Sequence, residues 1–275
     1  MNQQSTTGHG DTVPPLAGLI SLTGRVAVVT GSARGIGRAI ASRLMEAGAS
    51  LVVADVDGER ATTTASELAA EHGGNAIGVE VDVTDHAALA GLASNAVGEF
   101  GRLDIWVNNA GILASFPVSE MSDDEWNRMI GINLGGAVFG AQAAARAMTD
   151  LGNGGVIVNI ASMASFRTPS PGILAYAAAK HAILGVTKSL AVEFGGAGIR
   201  AVAVAPARVD TPGLREALAS HSAAGKKDVN AVVSAPLGRS TTADDIARAV
   251  LFAASDLAAM VSGSVIVVDG AELAR

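Results

Sequence analysis

From Arg25 onward, short runs rich in β-branched residues alternate with longer, alanine-rich segments whose apolar positions recur at helical spacing. The runs are RVAVVT (25–30), LVVADV (51–56), NAIGVEVD (75–82), LDIWVNNA (103–110), GVIVNIAS (155–162), IRAVAVAP (199–206) and GSVIVVDG (263–270). Strands separated by helices in this way build a parallel sheet through βα repeats. The unbroken apolar stretch Val26 to Val29 fits a strand covered on both faces. The expected fold class is therefore α/β, a doubly wound seven-stranded parallel sheet with helices on both faces.

A chain of 275 residues can hold one large α/β domain or two smaller ones. No linker-like composition interrupts the alternation, so a single catalytic-sized domain is expected over 22–275. Residues 1–21 are polar, with glycine and the pair Pro14-Pro15, and read as a flexible N-terminal extension. The least regular stretch, roughly 211–240, has mixed polarity between a strand and a helix. Segments beyond strand C-termini border the ligand crevice of an open α/β sheet, which makes this one a lid candidate.

Composition removes several function classes. Half-apolar content (49%), 16% charged residues and 33 glycines suit a packed core with close backbone approaches. A net charge of −7 argues against nucleic acid as a partner, since phosphate binding needs clustered Lys and Arg. There is no cysteine, and His9, His72, His86, His181 and His221 show no i, i+4 pair of the kind that holds a metal on a helix. No metal is expected. No apolar run reaches membrane-spanning length, and the N-terminus lacks a basic stretch followed by an apolar one, so a soluble, cytoplasmic protein with no membrane partner is expected.

The first strand runs into TGSARGIGRAI, which sets Thr30, Gly31, Gly35 and Gly37 in a GxxxGxG spacing just before a helix. Strand, glycines and helix in that order form a cradle for a dinucleotide pyrophosphate. The glycines admit the phosphates and the helix N-terminus supplies N–H donors and partial positive charge. Ser32, Arg34 and Ile36 fill the rest of the turn. Asp55, at the end of the second strand and followed by Val56, can accept hydrogen bonds from an adenosine ribose. A 2′-phosphate about 5 Å from it would cost on the order of 3 kcal/mol per unit charge at an effective dielectric near 20. NAD is thus expected over NADP. Arg34 pulls the other way, because its guanidinium could pair with a 2′-phosphate, or instead with a nearby carboxylate or the adenine edge. Asp57 reads as a solvated turn residue before Gly58.

LAYAAAKHAILG (174–185) contains Tyr176, the only tyrosine, with Lys180 one helical turn later. Together TGxxxGxG (30–37), NNAG (108–111), a serine after the fifth strand (Ser162) and YxxxK (176–180) resemble the short-chain dehydrogenase/reductase family, whose domain is a Rossmann fold. The resemblance extends from residue 22 to the end. It implies that Tyr176 is a general acid/base, that Lys180 lowers its pKa and holds the nicotinamide ribose, that Ser162 binds the substrate oxygen, and that Asn133 completes a tetrad. Ser165 stands close enough to replace Ser162, and Asn133 could simply hydrate its helix. The phenol needs such help, since a free one has a pKa near 10. The resemblance further places Asp82 and Val83 near the adenine and Asn109, Ala110 and Gly111 along the cofactor. In APARVDTPG it puts Pro206, Val209 and Thr211 at the nicotinamide end. Two departures are Ala207 and Ala271, where glycine is usual.

The expected activity is NAD-dependent interconversion of a secondary alcohol and its ketone. The rivals are an NADP-dependent 3-oxoacyl reductase and a non-catalytic nucleotide-binding scaffold. Met163, Phe166, Ile112, Leu113 and the stretch from Leu214 are candidate pocket residues. Their apolar character favours an alicyclic, aromatic or steroid-like alcohol. The resemblance implies a homotetramer, built in part from long helices around 122–149 and 172–195.

Overall fold

The computed structural model describes residues 14–211 and 235–275. Seven parallel strands, β1 (Val26–Thr30), β2 (Ser50–Asp55), β3 (Ala76–Glu80), β4 (Ile105–Asn108), β5 (Gly155–Ile160), β6 (Ile199–Pro206) and β7 (Val265–Val268), stand in the order β3-β2-β1-β4-β5-β6-β7. The chain winds outward from β1 in one direction and from β4 in the other. Beyond their C-termini lies the crevice where such sheets bind ligands.

The helices are α1 (Leu16–Ile20), α2 (Gly35–Glu46), α3 (Gly58–His72), α4 (His86–Phe100), α5 (Asp123–Ile130), α6 (Gly136–Leu151), α7 (Leu174–Phe194) and α8 (Ala243–Ala254). Strand alternation divides the core between the two faces. Ala27 and Val29 of β1 pack with Ile40, Leu44, Leu68 and Val250 of α2, α3 and α8. Val26 and Val28 pack with Leu89, Leu92, Ala144 and Met148 of α4 and α6. Ala137, Ile183 and Ala203 close a smaller cluster under α7.

Two details add to the expectations. The last part of the stretch read as an extension holds α1, whose first turn closes on the Pro15 carbonyl, and it is followed by the fully buried Leu22, while residues 1–13 lie outside the described residues. Proline just before the helix presets the backbone there, a local signal that polar composition hides. The helix expected over 122–149 is also interrupted: Gly131–Gly135 form a π-helical turn between α5 and α6. The glycine-rich segment lets the helix widen there, and such turns cluster at functional sites. Most of the lid candidate, 212–234, lies outside the described residues.

The C-terminal turn after β7 holds Ala271 at φ 73°, the only non-glycine in left-handed conformation among the described residues. The buried Asp269 carboxylate stabilises it by accepting from the N–H groups of Ala271 (2.9 Å) and Leu273 (2.7 Å). Ala207 is not among the left-handed residues, so alanine is tolerated at that site without strain.

Candidate active site

The glycine turn is fastened from several sides. Ser32 Oγ donates to the Val29 carbonyl (2.6 Å) and accepts from the Ala54 N–H (3.1 Å), joining β1 to β2. The Ala33 N–H donates to Asp55 Oδ2 (3.0 Å), while its carbonyl accepts from Thr64 of α3 (3.1 Å). Asn109 Nδ2 donates to the carbonyls of Thr30 and Gly31, both at 2.9 Å. Thr30 Oγ1 accepts from the N–H groups of Asn109 and Ala110, each at 3.1 Å. Thr30 lay inside the recognised motif without a role. Thr64 had no sequence signal, because its partner is thirty-one residues away.

The glycines have distinct reasons. A Cβ at Gly37 would run into the Gly31 carbonyl oxygen and lie 2.5 Å from Asn109 Nδ2. Gly31 and Gly35 hold φ of 63° and 61°, which side chains disfavour. Helix α2 has no side-chain cap and no acid in its first turn. Its N-terminal donors and bare backbone therefore fit an anionic group such as a pyrophosphate. Arg34 is the N-cap residue, and Ile36 follows Gly35 in the first turn.

At the adenosine end, Asp55 is half-buried and Val56 exposed. Asp55 Oδ1 accepts from the Asp57 N–H (3.2 Å), and Asp57 caps α3 by accepting from Arg60 N–H (3.0 Å). Asp82 is exposed and closes its own turn through Thr84, with N–H and hydroxyl at 2.9 and 2.8 Å. The neighbouring Val83 is buried against Gly136, where a Cβ would lie 2.8 Å from its Cγ2. Gly111 fits beneath Asn133, whose Oδ1 would be 2.8 Å from an added Cβ.

Around the phenol the structure brings three of the four tetrad candidates together. Ser162 follows β5 and caps a 3-10 turn (Met163–Ser165), accepting from the Ala164 N–H at 3.0 Å. That leaves its hydroxyl proton free to donate, and Ser162 stands close enough to Tyr176 to favour the ionised phenol. Ser165 is engaged elsewhere, donating to the Lys180 carbonyl (2.6 Å), which separates the two serines. Lys180 is 5% exposed, and its Nζ donates to the Ile160 carbonyl (2.7 Å) while lying 5.7 Å from the Tyr176 ring centroid. Burial lowers the Lys180 pKa to about 8. Burial also pushes the Tyr176 phenol above its ordinary value, an effect that the neighbouring Ser162 hydroxyl offsets only in part.

Asn133 sits in the π-turn with its side chain committed to backbone. Its Nδ2 donates to the carbonyls of Ile112 and Met129, each at 3.0 Å, and its Oδ1 accepts from the Ile112 N–H at 3.2 Å. It thus pins the segment after β4 rather than reaching the phenol. At the other end of the crevice, buried Pro206 ends β6, Val209 bridges to Thr241, and the Thr211 side chain lies 3.7 Å from where a Gly35 Cβ would stand. Met163 is buried, Phe166 exposed, and Ile112 and Leu113 half-buried. Leu214 lies outside the described residues.

The family model described as enoyl-(acyl carrier protein) reductase matches residues 31–270. A short-chain type dehydrogenase/reductase from Mycobacterium marinum superposes with a TM-score of 0.85 at 33% identity, covering 94% of this chain and 98% of that one. The chain belongs to the short-chain dehydrogenase/reductase family. Another similar chain is 3beta-hydroxysteroid dehydrogenase 2 of Eggerthella lenta, 38% identical over 90% of this chain and 95% of its own length. A gluconate 5-dehydrogenase from Burkholderia cenocepacia, solved with NADP and tartrate, superposes with a TM-score of 0.84 at 34% identity, covering 94% and 99% of the two chains. As a short-chain dehydrogenase/reductase the chain is an oxidoreductase of the NAD(P)-dependent alcohol and ketone class. Among the described residues no helix is long and apolar enough to cross a membrane, and no group of three potential ligands surrounds a metal position.

Proposed function

We propose that this chain is an NAD-dependent dehydrogenase that interconverts a secondary alcohol and its ketone, with Tyr176 as general acid/base. The observation that carries the proposal is the Lys180 amine 5.7 Å from the centre of the Tyr176 ring, with Ser162 beside the phenol and favouring its ionised form. In the oxidative direction the Tyr176 phenolate takes the hydroxyl proton and Ser162 donates to the oxygen as its charge shifts. The residues named below would hold NAD, which would supply the acceptor for the hydride leaving the carbinol carbon. Lys180 has three N–H donors, one of them used on Ile160, so two remain for the nicotinamide ribose. The phenolate, when formed, is stabilised by the Lys180 charge. Asn133 would enter by fixing the segment at Ile112 after β4.

Gly31 to Gly37 with Ser32, Arg34 and Ile36 would hold the pyrophosphate, Asp55 and Val56 the adenosine ribose, and Asp82 and Val83 the adenine. Asn109, Ala110, Gly111, Pro206, Val209 and Thr211 would line the rest of the cofactor. Taken as the substrate lining, Met163, Phe166, Ile112 and Leu113 would make it mainly apolar, which favours an alicyclic, aromatic or steroid-like alcohol. The hydroxysteroid relative supports the same class. A second reading, an NADP-dependent 3-oxoacyl reductase, draws support from the carrier-protein description of the matching family model and from the NADP-bound relative. We further propose a homotetramer and a cytoplasmic location.

The test is a panel of secondary alcohols with NAD and then NADP, followed by the absorbance of reduced nicotinamide. Turnover should appear with NAD and fall by about 10³-fold or more in Tyr176→Phe, since general acid–base transfer and its electrostatic support are both lost. Turnover that survives this change would refute the mechanism, because no other tyrosine exists in the chain to take over.

A further inference from the structure

A fully buried polar chain crosses the molecule behind the proposed active site. Trp106 Nε1 donates to Asn108 Oδ1 (2.7 Å). Asn108 Nδ2 donates to Asn159 Oδ1 (2.8 Å) and to the Ala137 carbonyl (3.0 Å). Asn159 Nδ2 donates to Thr187 Oγ1 (3.0 Å), which in turn donates to the Ile183 carbonyl (2.8 Å). Trp106, Asn159 and Thr187 are each 0% exposed. Asn108 and Asn159 face one another in the β4–β5 register. Gly140 of α6 makes the room, since a Cβ there would lie 2.5 Å from Asn108 Oδ1.

Its placement sets it apart from ordinary core. Asn159 directly precedes Ile160, whose carbonyl receives Lys180 Nζ, and lies three residues before Ser162. Thr187 lies seven residues after Lys180, two helical turns along the same face of α7. The Asn159–Thr187 bond therefore sets how far along β5 the α7 helix stands. An apolar contact would allow sliding, because packing alone has little directional preference, whereas a buried amide–hydroxyl pair has one satisfied position.

Resting on the oxidoreductase reading above, we propose that Asn159 and Thr187 are positioning residues, which register α7 on β5 so that Lys180 meets the Ile160 carbonyl and Tyr176 meets Ser162. They touch neither cofactor nor substrate. Losing the bond should then lower kcat while leaving the binding of both reactants nearly as it was, because reaction rates respond far more steeply than affinities to small misplacements of reacting groups.

The experiment compares wild type with Thr187→Val, which keeps the shape and removes the hydroxyl, and Thr187→Ser, which restores it. In Thr187→Val, kcat should fall about 10-fold with both KM values within about 2-fold, and Thr187→Ser should recover most of the loss. Thr187→Ala, measured alongside, should show the same split if the valine variant does not fold. A lower melting temperature with unchanged kcat, or a serine variant as slow as the valine one, would overturn the inference and leave the dehydrogenase reading standing. A folded wild-type chain that turns over no alcohol or ketone with either cofactor would overturn that reading, and this inference with it.

Discussion

Under the proposed mechanism, Lys180 is the residue where function opposes stability most directly. The fall of its pKa from 10.5 to about 8 means that burial disfavours the charged amine by on the order of 3 kcal/mol. Below about pH 8 the folded chain carries an ammonium that the unfolded chain would hold in water. Between about pH 8 and 10.5 the unfolded chain retains a proton that the folded one has lost, so this residue's penalty fades as pH rises. Lys180→Met should therefore abolish turnover yet stabilise the fold at pH 7 by about 2 kcal/mol, after about 1 is lost with the Ile160 hydrogen bond. Urea denaturation at pH 7 and at pH 10 checks the sign, and an equal gain at both would contradict it. Asp55 also serves two ends, as ribose candidate and as the acceptor for the Ala33 N–H. Asp55→Asn removes the charge while keeping an acceptor, and Asp55→Ala removes both. Each should lower the NAD to NADP ratio of kcat/KM by about 10- to 100-fold, for the roughly 3 kcal/mol repulsion involved. Only the alanine variant should lose about 1 kcal/mol of stability as well. A ratio unchanged in both variants would rule out Asp55 as the discriminating group.

At the scale of elements, the turn between β1 and α2 is packed so tightly that its shape and its binding capacity are one property. Gly37→Ala would force the new methyl into the Gly31 carbonyl and toward Asn109 Nδ2, the group that fastens Gly31 to β4. It should cost about 1–3 kcal/mol in thermal denaturation and weaken NADH binding, followed by nicotinamide fluorescence, by more than the stability loss explains. Cofactor binding equal to wild type would show that the turn is not the pyrophosphate cradle. Such a turn is legible in sequence because its glycines obey local rules of φ and close approach. The strands are legible for a similar reason, since residues alternating between two covered faces leave near-continuous apolar runs. What escaped depends on distant or weakly patterned contacts. Thr64 secures Ala33 across two elements, the π-turn needs a widened ladder that glycines permit without dictating, and α1 hides in a polar segment. Ser162 is favoured over Ser165 in sequence by its place at the end of the fifth strand, and the Lys180 carbonyl, set by helix placement, engages Ser165 as well.

At the scale of the whole molecule, β3 and β7 form the two edges of the sheet. Among the described residues β7 pairs with β6 alone, so its outer hydrogen-bonding edge has no strand beside it. Val267 on β7 is 41% exposed, and the turn before it presents Met260 at 95%. That turn lies against the end of α7, where a Cβ added at Gly263 would stand 3.4 Å from Ala191 Cβ, next to Val192 at 86% exposure. An open strand edge flanked by large apolar side chains is an association surface unless something covers it. A second copy is the simplest cover for a surface that every copy carries, and twofold pairing closes it on itself. Light scattering at micromolar concentration should therefore give a mass well above the 27.4 kDa of one chain. A double variant, Met260→Asp with Val267→Lys, should shift the population to smaller species while preserving the far-UV spectrum, because neither side chain belongs to the core. A monomeric wild type would refute the assembly. A variant that keeps the wild-type mass would move the interface away from β7, toward the alanine-rich faces of α6 and α7.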